Sequence, residues 1–344
     1  MTFISKNPYN HSINLILNED SEEVVQLKIS NAQTVSNEWK FSDLSTRSEI
    51  LKKLSNILID RKKELAELIT KEIGQPIKQS INEIEKCALT AQYYAANTEK
   101  FLKDEYVQTD ALESYISYEP LGIILGIVSW NFPFWMAFRF IIPTISAGNC
   151  VLLKHSSNVP MCALAIEDIM TEVGYPKYVF QMLYVKSNHL DNIIADSRIN
   201  GVSFAGGVYG GSQVAALAGR NIKKTVLELG GSDAFIVLPD ADINITSSAL
   251  IENRFRNAGQ ACNSPKRVFV HASILEEFLN SLSNKISSLK IGDPLDYETE
   301  LGPVANEDVL NKLVQQVNDS LQKGAKLVYG GKIYQGGSLF YEPT

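Results

Sequence analysis

Between Leu44 and Glu72, apolar residues recur at three- and four-residue intervals, at Leu51, Leu54, Ile57, Leu58, Leu65, Leu68 and Ile69, with charged residues between them. That period stacks them on one helical face and predicts an amphipathic helical region. Gly74 and Pro76 close it, because glycine suits a helix end and proline cannot continue the helix. A second helical stretch is predicted from Ile77 to Phe101. The pattern then changes: Tyr115 to Tyr118 alternates like a strand, and Pro120-Leu121-Gly122 turns the chain into the apolar run Ile123 to Val128. Val151 to Lys154 is another short apolar strand, followed by Pro160 and a helical Ala163 to Val173. Gly201 to Phe204, Thr225 to Leu229 and Phe235 to Leu238 complete the strand candidates. Short apolar strands separated by helical segments predict an α/β fold with a largely parallel sheet, since such strands are covered on both faces. The chain shows neither an internal repeat nor a low-complexity linker.

Composition narrows the function. With 344 residues, 45% hydrophobic and 21% charged, the chain has the make-up of soluble globular material with room for two domains. Its 32 basic and 39 acidic residues give a net charge of −7 and offer no basic stripe to neutralise phosphates, which argues against a nucleic-acid partner. Cys87, Cys150, Cys162 and Cys262 are widely spaced with no C-x-x-C pair, a reduced cytoplasmic set and not a disulfide framework. The histidines His11, His155, His189 and His271 are equally scattered, so no metal site is expected. The opening MTFISKNPYNHS has no apolar segment behind a basic start, so no secretory signal is expected. The apolar stretch Gly122 to Val128 is too short to span a membrane.

Candidate chemistry centres on Cys262. It ends the segment Arg256-Asn257-Ala258-Gly259-Gln260-Ala261-Cys262, among small and polar residues and outside any apolar stripe. A lone cysteine is most often buried and inert. Upstream, however, lies Glu228-Leu229-Gly230-Gly231, a carboxylate followed by glycines that let the backbone approach a ligand. A thiol and a carboxylate are a nucleophile and a base, the minimum for covalent catalysis at a carbonyl. The Gly-rich Phe204 to Gly211 segment sits between a strand and a helix predicted over Ser212 to Ala218, where amides can meet a phosphate. Taken alone it is only a glycine-rich turn, because the G-x-G-x-x-G spacing is missing. Asn131, in Ser129-Trp130-Asn131-Phe132-Pro133, is either a turn-forming residue or a side-chain hydrogen-bond donor.

In combination these segments resemble the aldehyde dehydrogenase superfamily. The matching pieces are Pro120-Leu121-Gly122 through Trp130-Asn131-Phe132-Pro133, Ala147-Gly148-Asn149, Leu153-Lys154, Phe204 to Gly211, Glu228 to Gly231, Asn257 to Cys262, Gly292-Asp293-Pro294 and Leu301-Gly302-Pro303, in the family's order and near its spacing along the whole chain. The resemblance implies a Rossmann-type dinucleotide-binding domain over 1–104 and 120–231, an oligomerisation strand segment over 105–119, and an α/β catalytic domain over 232–344. Full members continue beyond Thr344, so the catalytic domain is expected to be incomplete, with strand edges and apolar faces left uncovered.

The same resemblance implies roles. Cys262 is the nucleophile that forms a thiohemiacetal and then a thioester. Asn131 and the backbone N–H of Cys262 stabilise the oxyanion, and Glu228 activates the hydrolytic water. Trp130, Lys154, Ser157, Gly206, Gly207, Gly211 and Gly230 belong to the cofactor site. Ser157 stands where NAD-specific members often carry an acidic residue, so NADP is expected to be accepted alongside NAD. At the pyrophosphate turn, Gly207 replaces the serine most members carry.

Arg139 falls where semialdehyde dehydrogenases of the family hold a substrate carboxylate through paired hydrogen bonds. With Leu153-Lys154-His155, Asp196 to Ile199 and Leu229 to Asp233, it resembles bacterial and archaeal succinate-semialdehyde dehydrogenases. The implied function is NAD(P)-dependent oxidation of succinic semialdehyde by a cytoplasmic homo-oligomer, dimer or tetramer, with no membrane or nucleic-acid partner. The alternatives are a related enzyme acting on another small aldehyde such as glyceraldehyde, a fragment that binds nucleotide or a complementary chain, and acyl transfer to CoA. Retention of Glu228 weighs against the last.

Overall fold

The computed structural model describes residues 2–335, 337 and 339–344. The chain forms two compact units, one made of residues 1–5, 15–65 and 82–229, the other of 6–14, 66–81 and 230–344. In order, the elements up to the end of the first unit are β1 (Thr2–Lys6), β2 (Ile13–Asn18), α1 (Glu22–Trp39), α2 (Leu44–Asp60), α3 (Lys62–Ile73), α4 (Ile77–Phe101), β3 (Glu105–Tyr106), β4 (Tyr115–Ile116), β5 (Ile123–Ile127), α5 (Pro133–Ser146), β6 (Cys150–Lys154), α6 (Pro160–Glu172), β7 (Phe180–Met182), α7 (Leu190–Ala195), β8 (Ile199–Gly206), α8 (Val208–Arg220) and β9 (Lys224–Leu229). The second unit adds β10 (Ala234–Val237), α9 (Ile243–Phe255), β11 (Arg267–Val270), α10 (Leu275–Ser287) and α11 (Glu307–Gln322).

The first unit is built on a five-stranded sheet, ordered β7-β6-β5-β8-β9 and parallel throughout. Every residue of β6 is buried, as a strand covered on both faces requires. Helix α5 supplies Phe134, Phe138, Ile141, Ile142 and Ile145 to the core, and α1 supplies Val25, Ile29 and Ala32. Burying each large apolar side chain contributes about 1.5–3 kcal/mol. The chain runs outward from β5 through β6 to β7, then returns to lay β8 on the other flank of β5. This reversal between β5 and β8 leaves a crevice outside their carboxyl ends, the place where doubly wound sheets bind ligands. Strands β3 and β4 pair as an antiparallel ribbon apart from this sheet.

In the second unit, β10 and β11 pair in parallel, and Val237, Leu250 and Phe278 form a core beneath α9 and α10. A separate cluster joins Val304, Leu310, Leu339 and Tyr341. Ile77 N–H donates to the Pro294 carbonyl, tying the start of α4 to the Gly292-Asp293-Pro294 segment.

Two sequence expectations are refined. The region from Leu44 to Glu72 is two helices, broken at Arg61, whose guanidinium bonds Glu64, Asp168 and Glu172 at 2.8–2.9 Å. The helix expected over Ser212 to Ala218 starts at Val208, so Gly210 and Gly211 lie inside it and only Gly206 and Gly207 form the turn before it. Among the described residues no helix is long and apolar enough to cross a membrane. Nor do any three or more His, Cys, Asp or Glu residues there group to hold a metal ion.

The Leu301-Gly302-Pro303 motif has a steric reason. A Cβ on Gly302 would stand 2.1 Å from the Gly74 carbonyl oxygen, a backbone atom that cannot rotate away. Gly302→Ala is therefore expected to destabilise the second unit by about 1–3 kcal/mol or more. Urea denaturation checks this, and an unchanged midpoint would contradict the close approach.

Candidate active site

The turn that carries Asn131 is held from outside. The chain leaves β5, passes Ser129-Trp130-Asn131-Phe132 and enters α5 at Pro133, whose fixed φ suits a first helical position. Phe132 offers no side-chain cap, so the first-turn amides need another acceptor. Glu83 of α4 supplies it: its Oε1 accepts from Phe134 N–H at 2.9 Å and Trp135 N–H at 3.0 Å. Burial pushes the Glu83 carboxyl up to about 8, against the opposing pull of those two amides and of Lys86. His155, also buried, donates from Nε2 to the Pro133 carbonyl at 2.9 Å and accepts Ser156 N–H on Nδ1 at 2.7 Å. Burial lowers its ring to about 4, so it is a neutral strut between the end of β6 and the start of α5. Ser129 Oγ donates to Asn131 Oδ1 at 2.8 Å, which fixes the amide with its NH₂ as the donor edge. Lys86 Nζ stands 3.7 Å from the Trp135 ring centre, and the Arg139 guanidinium 5.8 Å from the same ring.

Of the residues assigned to a dinucleotide, Trp130, Lys154, Ser157, Gly206 and Gly207 lie at or just beyond the carboxyl ends of β5, β6 and β8. Lys154 ends β6, buried, and burial lowers its amine. Its carbonyl accepts Val128 N–H at 3.1 Å. Ser157 is exposed in the turn that follows. Gly207, extended at φ −74 and ψ 154, is the N-cap of α8 and makes no side-chain cap bond. A Cβ on Gly207 would meet nothing within 4 Å, whereas one on Gly206 would strike the Phe204 ring at 2.7 Å. An uncapped helix N-terminus behind an open glycine fits a pyrophosphate. Gly211 is different: it is buried inside α8, its N–H bonds the Gly207 carbonyl, and a Cβ there would lie 2.5 Å from Leu229 Cδ2. The structure gives Gly211 a packing reason.

Beside α5 lies a cavity of about 330 Å³, lined by Met136, Arg139 and Phe140 of α5, Val202 of β8, and Val226 and Glu228 of β9, among others. Within it Arg139 Nη2 and Glu228 Oε1 form an ion pair at 2.8 Å. Their side chains are 28% and 49% exposed, so the pair contributes only about 0–1 kcal/mol.

Cys262 and Gly230 belong to the second unit. After α9, Asn257 (φ 50, ψ 44) and Ala258 (φ 52, ψ 33) adopt the left-handed conformation, followed by Gly259 at φ 77. Such non-glycine residues cost about 1–3 kcal/mol each and persist only where their surroundings over-determine them. Here Asn257 N–H donates to Gln79 Oε1 at 2.8 Å. Gln260 Nε2 donates to the Asn257 carbonyl at 2.8 Å, while Gln260 Oε1 accepts Ala305 N–H at 3.1 Å. Beyond the thiol, Lys266 Nζ reaches the carbonyls of Ala261, Cys262 and Ser264 at 3.2, 2.8 and 3.1 Å. This loop presents Cys262 exposed, whereas Cys87, Cys150 and Cys162 are buried. Burial raises the thiols of Cys87 and Cys150, the latter to about 12, which makes them poor nucleophiles.

Glu83, Gln79 and Lys266 were not singled out from sequence. Glu83 carried a legible signal: it shares a helical stripe with the buried Ser80, Ile84 and Cys87, where a charge needs a partner.

The family model described as "Aldehyde dehydrogenase family" matches residues 1–344. A probable succinate-semialdehyde dehydrogenase [NADP(+)] of Synechocystis sp. is 42% identical over 324 residues, covering 94% of this chain and 71% of that protein. A succinate-semialdehyde dehydrogenase [NADP(+)] of Mycobacterium avium is 42% identical over 284 residues, covering 82% of this chain and 60% of that protein. The crystal structure of succinic semialdehyde dehydrogenase from Streptococcus pyogenes, in complex with NADP+, superposes with a TM-score of 0.97 at 32% identity, covering 99% of this chain and 75% of that one. The chain belongs to the aldehyde dehydrogenase family. It spans 60–72% of the length of the curated relatives it matches.

The buried Glu83 makes a signed prediction. In the folded chain it keeps its proton up to about pH 8, while unfolded it ionises near 4.5. Between those values the folded state holds the extra proton, so this group's stabilisation is lost as pH rises, at up to about 1.4 kcal/mol per pH unit. Glu83→Gln, an uncharged mimic of the protonated acid, should match the parent near pH 5 and exceed it in urea stability near pH 8. Parallel stability–pH curves would contradict the assignment.

Proposed function

We propose that this chain carries the acyl-forming chemistry of an NADP-accepting aldehyde dehydrogenase for a short aldehyde with a distal carboxylate, succinic semialdehyde being the best fit. The observation that carries this reading is the exposed Cys262 thiol on a left-handed loop locked by Gln79, Gln260 and Lys266. The relatives' names and the guanidinium in the cavity beside α5 support the substrate class.

The Cys262 thiolate adds to the aldehyde carbon, and the new oxyanion receives hydrogen bonds from the Asn131 amide and the Cys262 N–H. The uncapped start of α8 at Gly206 and Gly207, with Lys154, Ser157, Trp130 and Gly230, would hold the dinucleotide. When bound, the cofactor supplies a hydride acceptor, so that the thiohemiacetal becomes a thioester. Glu228 takes a proton from water as it attacks the thioester, and collapse of the adduct expels the Cys262 thiolate and frees the acid. Arg139 binds the distal carboxylate.

Assembly as a homo-oligomer would use the β3–β4 ribbon, where Tyr106, Leu112 and Tyr115 are exposed; an isolated two-stranded ribbon is marginal without a partner surface.

Incubation with NADP+ and succinic semialdehyde, followed by acid quench and mass spectrometry of the Cys262 peptide, tests the covalent step. Glu228→Gln should accumulate acyl-Cys262 and release little acid, and Cys262→Ala should form neither. Acid formation by Cys262→Ala would overturn the proposal. The cofactor assignment is checked by Ser157→Asp, which places a negative charge beside a 2′-phosphate. NADP affinity should fall about tenfold or more with NAD affinity nearly unchanged, as read by quenching of tryptophan fluorescence. Equal loss for both would remove Ser157 from the site.

A further inference from the structure

Arg139 is assigned to the substrate carboxylate, yet its Nη2 already bonds the carboxylate assigned to activate water. We propose that Arg139 latches Glu228 in the ligand-free chain, and that a substrate's distal carboxylate releases the base by displacing it from the guanidinium. The inference rests on the roles given to Arg139 and Glu228 above.

The cavity is suited to such an exchange. Strand β9 alternates, so Lys224, Val226 and Glu228 face it together. Its charged lining residues are Arg139, Lys224 and Glu228, a surplus of one positive charge that favours a monoanionic guest. Lys224 lies about 13 Å along the strand from Glu228, at the strand's rise of ~3.3 Å per residue, so it is no ready substitute for Arg139. Ile124, Met136, Phe140 and Val226 give the methylene groups of a short chain an apolar bed. The latch is weak, because both partners are partly exposed. Trading one carboxylate for another at the same guanidinium preserves the charge-assisted bond, so the exchange needs little driving force. The Trp135 face 5.8 Å away steadies the guanidinium while its partner changes.

The consequence is specificity at hydrolysis. An aldehyde with a distal carboxylate frees Glu228 as it binds, whereas a neutral aldehyde of equal length leaves an oxygen of Glu228 engaged by Arg139 and withheld from water.

Binding of butyrate, which has the carboxylate and methylenes but no aldehyde, tests the latch without turnover. Followed by NMR titration of the full chain, Glu228→Gln should bind butyrate about two- to five-fold more tightly than the parent, since an intramolecular competitor worth up to ~1 kcal/mol is gone. Arg139→Gln should bind at least tenfold more weakly, and adding Glu228→Gln to it should bring no comparable gain. If Arg139→Gln binds butyrate as well as the parent does, the carboxylate subsite itself is wrong. If Arg139→Gln weakens binding but Glu228→Gln does not tighten it, the subsite stands and the latch fails. A gain just as large in the Arg139→Gln background would mean simple charge repulsion, and would also overturn the latch.

Discussion

Two backbone amides, those of Phe134 and Trp135, meet one oxygen of a buried carboxyl, Glu83, and much of the first unit's chemistry depends on that junction. A helix N-terminus leaves its first N–H groups without intrahelical acceptors, and α5 carries no cap of its own. By borrowing Glu83 from α4 and His155 from the end of β6, α5 is fixed at its first turn. Everything in register with that turn is fixed as well: Asn131 just before it, and Arg139 farther along the same helix. Burial keeps the carboxyl protonated at neutral pH, so the junction is made by a neutral group and avoids an unpaired buried charge.

A second constraint acts at Cys262. Left-handed backbone at Asn257 and Ala258 is unfavourable, and the glutamine and lysine bonds around it hold it there. The result separates one exposed thiol from three buried ones. The two constraints differ in kind: one fixes backbone donors at the start of a helix, the other presents an exposed thiol through a strained turn. The ion pair between Arg139 and Glu228 is loose by comparison, since both partners are partly exposed.

Much of this was legible in the sequence. Apolar runs located β5, β6 and β9 to within a residue or two, and the 3.6-residue period marked α2 to α4. The break at Arg61 was hidden because the stripe continues across it while the guanidinium reaches acidic groups far away in sequence. Helix α11 has as regular a stripe, with Leu310, Leu313, Val314 and Val317 packed on one side, and could have been read the same way. Family motifs named Cys262, Glu228, Asn131 and Arg139. They could not show that Arg139 and Glu228 pair, because that contact joins α5 to β9 through tertiary packing. Nor could they distinguish the open Gly207 from Gly211, whose role is to admit the Leu229 side chain.

The most direct test compares two four-carbon aldehydes, succinic semialdehyde and butanal, mixed rapidly with the parent chain and NADP+ while reduced cofactor is followed by absorbance. The account predicts continuing turnover with the semialdehyde. With butanal it predicts a burst equal to the Cys262 concentration and then a steady rate up to about fivefold lower relative to that burst, because Arg139 still holds one oxygen of Glu228 for part of the time. Identical ratios of burst to steady rate for the two aldehydes would contradict it.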